Sequence, residues 1–256
     1  MIVIKKEDEI EKMREAGRIT ALILREVAEM VKPGVSAYEL NEHAERRLEE
    51  LKAAPAFKNY PHPSGGKKYP ASLCVSVNEE VVHGLPTREK VFREGDIVSL
   101  DFGVIKDGYY GDSALTVGIE PLSNRKRQLI KTTRESLYQG IKKAVAGARL
   151  GDISHAVQTY VERRGFSVVR DFAGHGIGTH LHEEPQVPNF GFPGRGPLLE
   201  ERMTIAIEPM VNMGNWRVRV KTDGWTVVTV DGLPSAHFEH TVVIRDGEAE
   251  ILTVVE

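Results

Sequence analysis

The sequence predicts an α+β fold, with helices packed outside a largely antiparallel sheet and two similar halves, about 1–120 and 121–256, in a single domain. Three features lead there. Helical periodicity appears twice as a pair of segments, once near the start and once between strand-forming blocks. Asp-Gly pairs at Asp107-Gly108, Asp223-Gly224 and Asp246-Gly247 lie among β-branched residues, and such pairs accept the positive φ of tight hairpins, which make strands antiparallel. The stretches GVSAYELNEHAERR (34–47) and GDISHAVQTYVERR (151–164) share a leading glycine, an apolar residue six positions on and a closing Glu-Arg-Arg, at an offset of 117 residues.

Taken in order, Ile10, Met13, Ile19, Ile23, Val27 and Met30 recur at helical spacing, and Lys32-Pro33-Gly34 should end this first helix. Ser36 should open the second through a capping box with Glu39, leaving Leu40, Ala44 and Leu48 on the buried face. The segment from Pro61 to Pro70 reads as a loop, and strands then flank Asp107-Gly108. A third helix is expected from about Ser123 to Ala148, and a fourth capped by Asp152 and ending near Gly165. Strands follow to the end, with Asp231-Gly232 in a loop because Pro234 comes close behind.

Composition bounds the function. With 256 residues, 41% of them hydrophobic, the chain can bury a sizeable core in one large domain or two small ones. A net charge of −3 from 34 basic and 37 acidic residues gives no single-sign field for nucleic acid or an anionic membrane. MIVIKKEDEI lacks the apolar run of a secretory signal, and no apolar stretch reaches bilayer length. Cys74 is the sole cysteine, which excludes an internal disulfide and suits a reducing cytoplasm.

The richest stretch is SLDFGVIKDGYYGDSALTV (99–117). With Asp107-Gly108 at the turn, Asp112 falls opposite Gly103 with Asp101 diagonally beside it, all on one face, next to a glycine that leaves room. Carboxylates that close repel unless one takes a proton or a cation lies between them; equally, such aspartates can cap turns or face solvent. DFAGHGIGTHLHEEP (171–185) places His175, His180 and His182 in a glycine-rich run that fits neither the dinucleotide fingerprint nor the P-loop. Its imidazoles suit a metal, or else are hydrogen-bonded structural groups. Glu208 in MTIAIEPMVNMG and Glu239 in SAHFEHTVVI interrupt apolar strands, which is costly unless the carboxylate is paired, metal-bound or outward-facing. Pro209 argues against a regular central strand continuing past Glu208. Together Asp101, Asp112, His175, Glu208 and Glu239 carry a formal charge of −4, which two divalent cations would neutralise.

The order of these five residues, with VVHGLP (81–86), LDFG (100–103), GHGIG and HEEP (174–185), IEPM (207–210) and FEHT (238–241), resembles the methionine aminopeptidases in their bacterial type I form. The resemblance runs from the first helix to the end of the chain. It implies the pita-bread fold, a curved sheet with two pseudo-symmetric halves around the site, and removal of N-terminal methionine from nascent polypeptides with a small second residue preferred. Two divalent ions (iron, manganese, cobalt or zinc) would be held, one by Asp101 and Asp112, the other by Asp112, His175 and Glu208, with Glu239 bridging. Glu208 would act as general base, His182 as donor to the scissile carbonyl and His83 as contact to the peptide nitrogen. Tyr69, Cys74 and Trp225 match the methionine pocket, with Leu181 where the family often has phenylalanine. Asn78 and Ser235 match positions that hold a monovalent cation in relatives.

Three departures stand out: FKNYPHPSGGKKYP (57–70) is longer and more basic than the family pattern, His180 replaces a small residue, and His237 replaces glutamine close to Glu239. We expect a cytoplasmic monomer, with transient ribosome association open and Arg125-Lys126-Arg127 a solvated helix start. Competing readings are an Xaa-Pro-type aminopeptidase of the same fold, a pita-bread protein that binds without catalysis, and a thiol protease built on Cys74, which leaves the four carboxylates unexplained.

Overall fold

The computed structural model describes residues 1–62 and 65–255; Pro63 and Ser64, inside the segment expected to be a loop, and Glu256 lie outside the described residues. The described part of 61–70 contains no helix or strand.

Helix α1 (Glu7–Glu29) buries the expected stripe from Ile10 to Val27. Helix α2 (Ala37–Glu50) opens on the expected box: Glu39 N donates to Ser36 Oγ at 3.4 Å and Ser36 N to Glu39 Oε2 at 2.8 Å. Strands β1 (Ala54–Pro55), β2 (Leu73–Val77), β3 (Glu80–Val82), β4 (Ile97–Lys106) and β5 (Tyr109–Gly118) follow, then helices α3 (Asn124–Ile141) and α4 (Leu150–Glu162). The remaining strands are β6 (Ser167–Val168), β7 (Ala173–Gly176), β8 (Glu183–Pro188), β9 (Thr204–Ile207), β10 (Met210–Asn212), β11 (Val218–Val220), β12 (Val227–Thr229), β13 (Ser235–His237), β14 (Glu239–Val243) and β15 (Glu250–Ile251).

Several expectations need correction. Helix α3 stops at Ile141 rather than near 148, because the following segment docks on its neighbours: Ala146 N donates to Arg245 O at 3.0 Å and Gly147 N to Leu199 O at 2.9 Å. Asp152 is not the cap of α4. Arg149 is, and Asp152 sits in the first turn, accepting from Arg149 N at 2.8 Å and Gly194 N at 2.7 Å, where a negative charge also suits the helix dipole. Cap geometry therefore matches Ser36 and Glu39 with Arg149 and Asp152, about one helical turn out of step with the sequence echo. Of the three Asp-Gly hairpins, only Asp107-Gly108 has positive φ at both residues, 49° and 81°. At the other two only the glycine does, and the connections are wider, as with Lys221 N to Thr226 O at 2.8 Å.

Strands run β1-β4-β5-β14-β9-β7-β8 across one antiparallel sheet, with β2 also on β4 and β15 also on β14. Two three-stranded sheets, β13-β10-β6 and β11-β12-β3, complete the fold. Side-chain alternation sorts the large sheet into two faces. Leu100, Phe102 and Val104 pack with Ile19, Ile23 and Leu40, while Ile205, Ile207 and Val242 pack with Leu137, Ile141 and Ile153. Each such fully buried side chain contributes about 1.5–3 kcal/mol. The alternate positions, Asp101 on β4 and Glu239 on β14 among them, turn away from both helical cores.

Candidate active site

The β4–β5 hairpin has the register expected from its turn: Gly103 pairs with Asp112 and Asp101 with Ala114. The next strand over completes the cluster, because β14 pairs Glu239 with the same Ala114. Glu208 occupies the break between β9 and β10, where Pro209 interrupts the ladder, and His175 lies on β7. Four strands and a strand break thus converge on one point. One ligand-type atom each from Asp112, His175 and Glu239 lies within 4.8 Å of the others. His175 Nε2 stands 3.4 Å from Glu208 Oε1 and 3.9 Å from Asp112 Oδ2. The room beside Gly103 has another occupant: a Cβ there would meet Ala56 Cβ at 2.7 Å and Phe57 Cε1 at 2.9 Å.

The electrostatics of this cluster are those of a cation site. Asp101 Oδ1, Asp112 Oδ1 and Glu239 Oε1 are buried without a hydrogen-bond partner among the described residues. Leaving a buried polar group unsatisfied costs about 1–3 kcal/mol, and more for a charge. Burial pushes Asp101 up to about 7. Burial, then repulsion from Asp101 and the other acids, raises Asp112, Glu208 and Glu239 well above the carboxylate range. His175 is neutral, since burial, with His182 beside it, lowers it to about 3. Its Nδ1 bonds the carbonyl of Gly176 at 2.9 Å and therefore carries the proton, so Nε2 offers a lone pair toward Glu208 and Asp112. An acid-rich, desolvated donor set with one oriented imidazole fits divalent metal.

The cluster forms the floor of a cavity of about 550 Å³. Tyr69, Cys74 and Trp225 line it, and so do His83 and His182. Tyr69 and Cys74 are buried, and desolvation raises the Cys74 thiol well above its usual range, so it is not a thiolate. Trp225 meets Tyr69 edge-on at 5.2 Å. His83 adopts a left-handed φ of 58°, and burial lowers it to about 4. The glycine after it is obligatory, because a Cβ on Gly84 would stand 2.2 Å from Val75 O. His182 stands at the mouth, its ring 4.4 Å from that of His175.

Not every flagged residue joins the site. His180 is exposed, its Nδ1 3.3 Å from Thr179 Oγ1 and 4.0 Å from Glu183 Oε1. His237 is buried with both ring nitrogens unpaired among the described residues and Nε2 3.9 Å from Glu208 Oε2. Asn78 O accepts from Ser235 N at 2.8 Å, while Lys126 brings its ammonium to Asn78 Oδ1 at 3.3 Å and Gly95 O at 2.6 Å. The structure adds cavity residues that sequence reasoning missed, chiefly Phe57 and Tyr60, on the near side of the long segment. It also adds Lys5, whose buried Nζ bonds Glu183 Oε2 at 2.7 Å, directly after His182. Family spacing offers no signal for Phe57 and Tyr60, since the extra residues before Tyr69 displace it. A larger groove of about 760 Å³ between α3 and α4 gathers Lys142, Lys143, Arg163 and Arg164 without any such acid cluster. Among the described residues no helix is long and apolar enough to cross a membrane.

Comparison with known proteins agrees with this geometry. Residues 11–246 match metallopeptidase family M24. The methionine aminopeptidase of Clostridium acetobutylicum is 50% identical over 256 residues, all of both chains. A crystal structure of a methionine aminopeptidase from Thermotoga maritima has a TM-score of 0.95 at 52% identity, again over 100% of both chains. An X-Pro aminopeptidase of Thermotoga maritima has a TM-score of 0.74 at 21% identity, with 99% of this chain covering 63% of that one, a likeness of fold alone. The α+β pita-bread fold is common to all of these. The chain belongs to metallopeptidase family M24 and, within it, to the methionine aminopeptidases.

Proposed function

We propose that this chain, as one catalytic domain with halves of about 1–120 and 121–256, removes the N-terminal methionine of nascent proteins and peptides by hydrolysis assisted by two divalent metal ions. The observation that carries this is the floor of the cavity: four mutually repelling carboxylates, Asp112 and Glu239 buried and Asp101 and Glu208 half-buried, and a neutral, oriented His175, beneath walls that include Tyr69, Cys74 and Trp225. Asp101, Asp112, His175, Glu208 and Glu239 would hold these ions. When bound, the ions supply a nucleophile from water at neutral pH and polarise the peptide carbonyl.

The protein's own groups do the rest. The Glu208 carboxylate accepts the proton released as water attacks. His182 donates from Nε2 to the carbonyl oxygen as charge develops there. His83, held by its left-handed backbone, contacts the scissile nitrogen and orients the substrate. The unbranched thioether of methionine suits the largely apolar pocket. His237, its Nε2 3.9 Å from Glu208 Oε2, would support that carboxylate from outside the ligand set. A monovalent cation beside Asn78 and Ser235 would share its corner with the Lys126 ammonium, whose charge lowers its affinity. We place the enzyme in the cytoplasm as a monomer that meets chains leaving the ribosome.

A peptide-release assay with metal titration tests this reading. Methionine should be released from Met-Ala-Ser, the activity should vanish on chelation, and each of the candidate metals should be scored for recovery. Faster release from an Ala-Pro peptide, or activity indifferent to stripping, overturns it.

A further inference from the structure

One polar contact at the cavity has no part in the chemistry above. The Tyr60 hydroxyl lies 2.5 Å from His182 Nδ1, and the two rings meet edge-on with centroids 5.2 Å apart. Tyr60 is not free to drift. Its amide donates to Phe57 O at 2.8 Å and its carbonyl accepts from Tyr69 N at 3.0 Å, so its backbone is clamped from both sides. The turn carrying His182 is held from the other side, where Glu183 accepts from Lys5 at 2.7 Å and from His180 N at 3.1 Å. With both backbones fixed, what remains adjustable is the tilt of the imidazole and which nitrogen bears its proton.

A neutral imidazole has one donor and one acceptor nitrogen, and a phenol can be either. If the phenol donates to Nδ1, the proton resides on Nε2. If the bond runs the other way, Nε2 is an acceptor and cannot stabilise negative charge on a carbonyl oxygen. The phenol is the stronger acid and imidazole nitrogen the stronger base, so the first arrangement is favoured; burial, which raises the Tyr60 pKa, also keeps its proton in place.

We propose that Tyr60 is a positioning residue for His182, donating to Nδ1 and so keeping the proton on Nε2, on the side that meets the scissile carbonyl. This rests on the donor role assigned to His182 above. The pocket wall supplied by the Tyr60 ring is a separate matter, and the test must tell the two apart.

Tyr60→Phe keeps the ring and removes one hydroxyl. In the zinc-loaded, full-length protein, the nitrogen-15 shifts of His182, assigned by their loss in His182→Ala, should report a protonated Nε2 and a bare Nδ1. In Tyr60→Phe a fraction protonated at Nδ1 should appear. On Met-Ala-Ser, kcat should fall about fivefold with KM changed less than about twofold, the size of one net hydrogen bond. Tyr60→Phe should add nothing in a His182→Ala background, whereas a role confined to the pocket wall would add its full penalty there. Protonation of Nδ1 in the wild type, an unchanged tautomer in Tyr60→Phe, or an additive double variant overturns the proposal. The wild-type shifts need no activity, so failure of the tautomer claim is distinct from failure of the peptidase reading.

Discussion

Chelating the divalent ions leaves Asp101, Asp112, Glu208 and Glu239 facing one another across a dry cluster with no counter-charge. All four then hold protons more tightly folded than unfolded, since burial and mutual repulsion raise them. A carboxyl raised in the folded state weakens stability as pH climbs from its unfolded value to its folded one, because the unfolded chain has already released the proton. For Asp101 that window runs from 3.8 to about 7, a loss on the order of 4 kcal/mol completed near neutrality. The other three groups push in the same direction. For a domain of this size the Asp101 contribution alone lowers the melting temperature by roughly 10 °C. The metal-loaded protein should show no such decline, because the ions compensate the ionised carboxylates and binding adds its own stabilisation. Thermal melts at pH 5, 6, 7 and 8, with saturating metal and with chelator, make the comparison. A stripped protein whose melting temperature holds level or rises from pH 5 to 7 relative to the loaded one would refute the idea that these carboxylates form one coupled, cation-dependent cluster.

Three further outcomes follow from the same geometry. Glu208→Gln keeps the side-chain shape and should lower the rate of peptide release by about 10²–10⁴-fold with circular dichroism unchanged. Cys74→Ser should retain activity within about a factor of two, because the buried thiol is a wall and not a nucleophile; a dead variant with full metal content would restore the thiol reading. Lys5→Met strands the Glu183 carboxylate in a buried position, at about 3–5 kcal/mol measured by denaturant unfolding. Adding Glu183→Gln should recover part of that loss, and no recovery would mean that Lys5 acts through packing instead.

What could be read in advance was local. The Asp107-Gly108 turn specifies the register of ten residue pairs, so the placement of Asp101 and Asp112 on one face followed from alternation alone. The Ser36–Glu39 cap is decided within four residues. Pro209 marked the break that frees Glu208 from the ladder. What could not be read depends on distant partners. Nothing near residue 147 announces that Leu199 and Arg245 will draw the chain out of α3. Asp152 has cap chemistry, yet a residue three positions earlier takes the cap once Gly194 bonds the same carboxylate. Lys5 looks like one more charge in a polar start until Glu183 arrives from far along the chain to bury it. Tyr60 was hidden because the extra residues before Tyr69 shift it out of family spacing.

Strand β14 lies late in the chain but in the middle of the sheet, joined to β5 on one side and β9 on the other. As the chain is synthesised, the β4–β5 hairpin emerges early and can form on its own helices. It must then wait with an open edge, as must β9, until residues 239–243 are available to fill the gap. Glu239 comes with that filling strand, so closing the sheet and completing the acid cluster are one event in time. A chain cut before residue 239 would have two separate half-cores, each with an exposed edge, and no working centre.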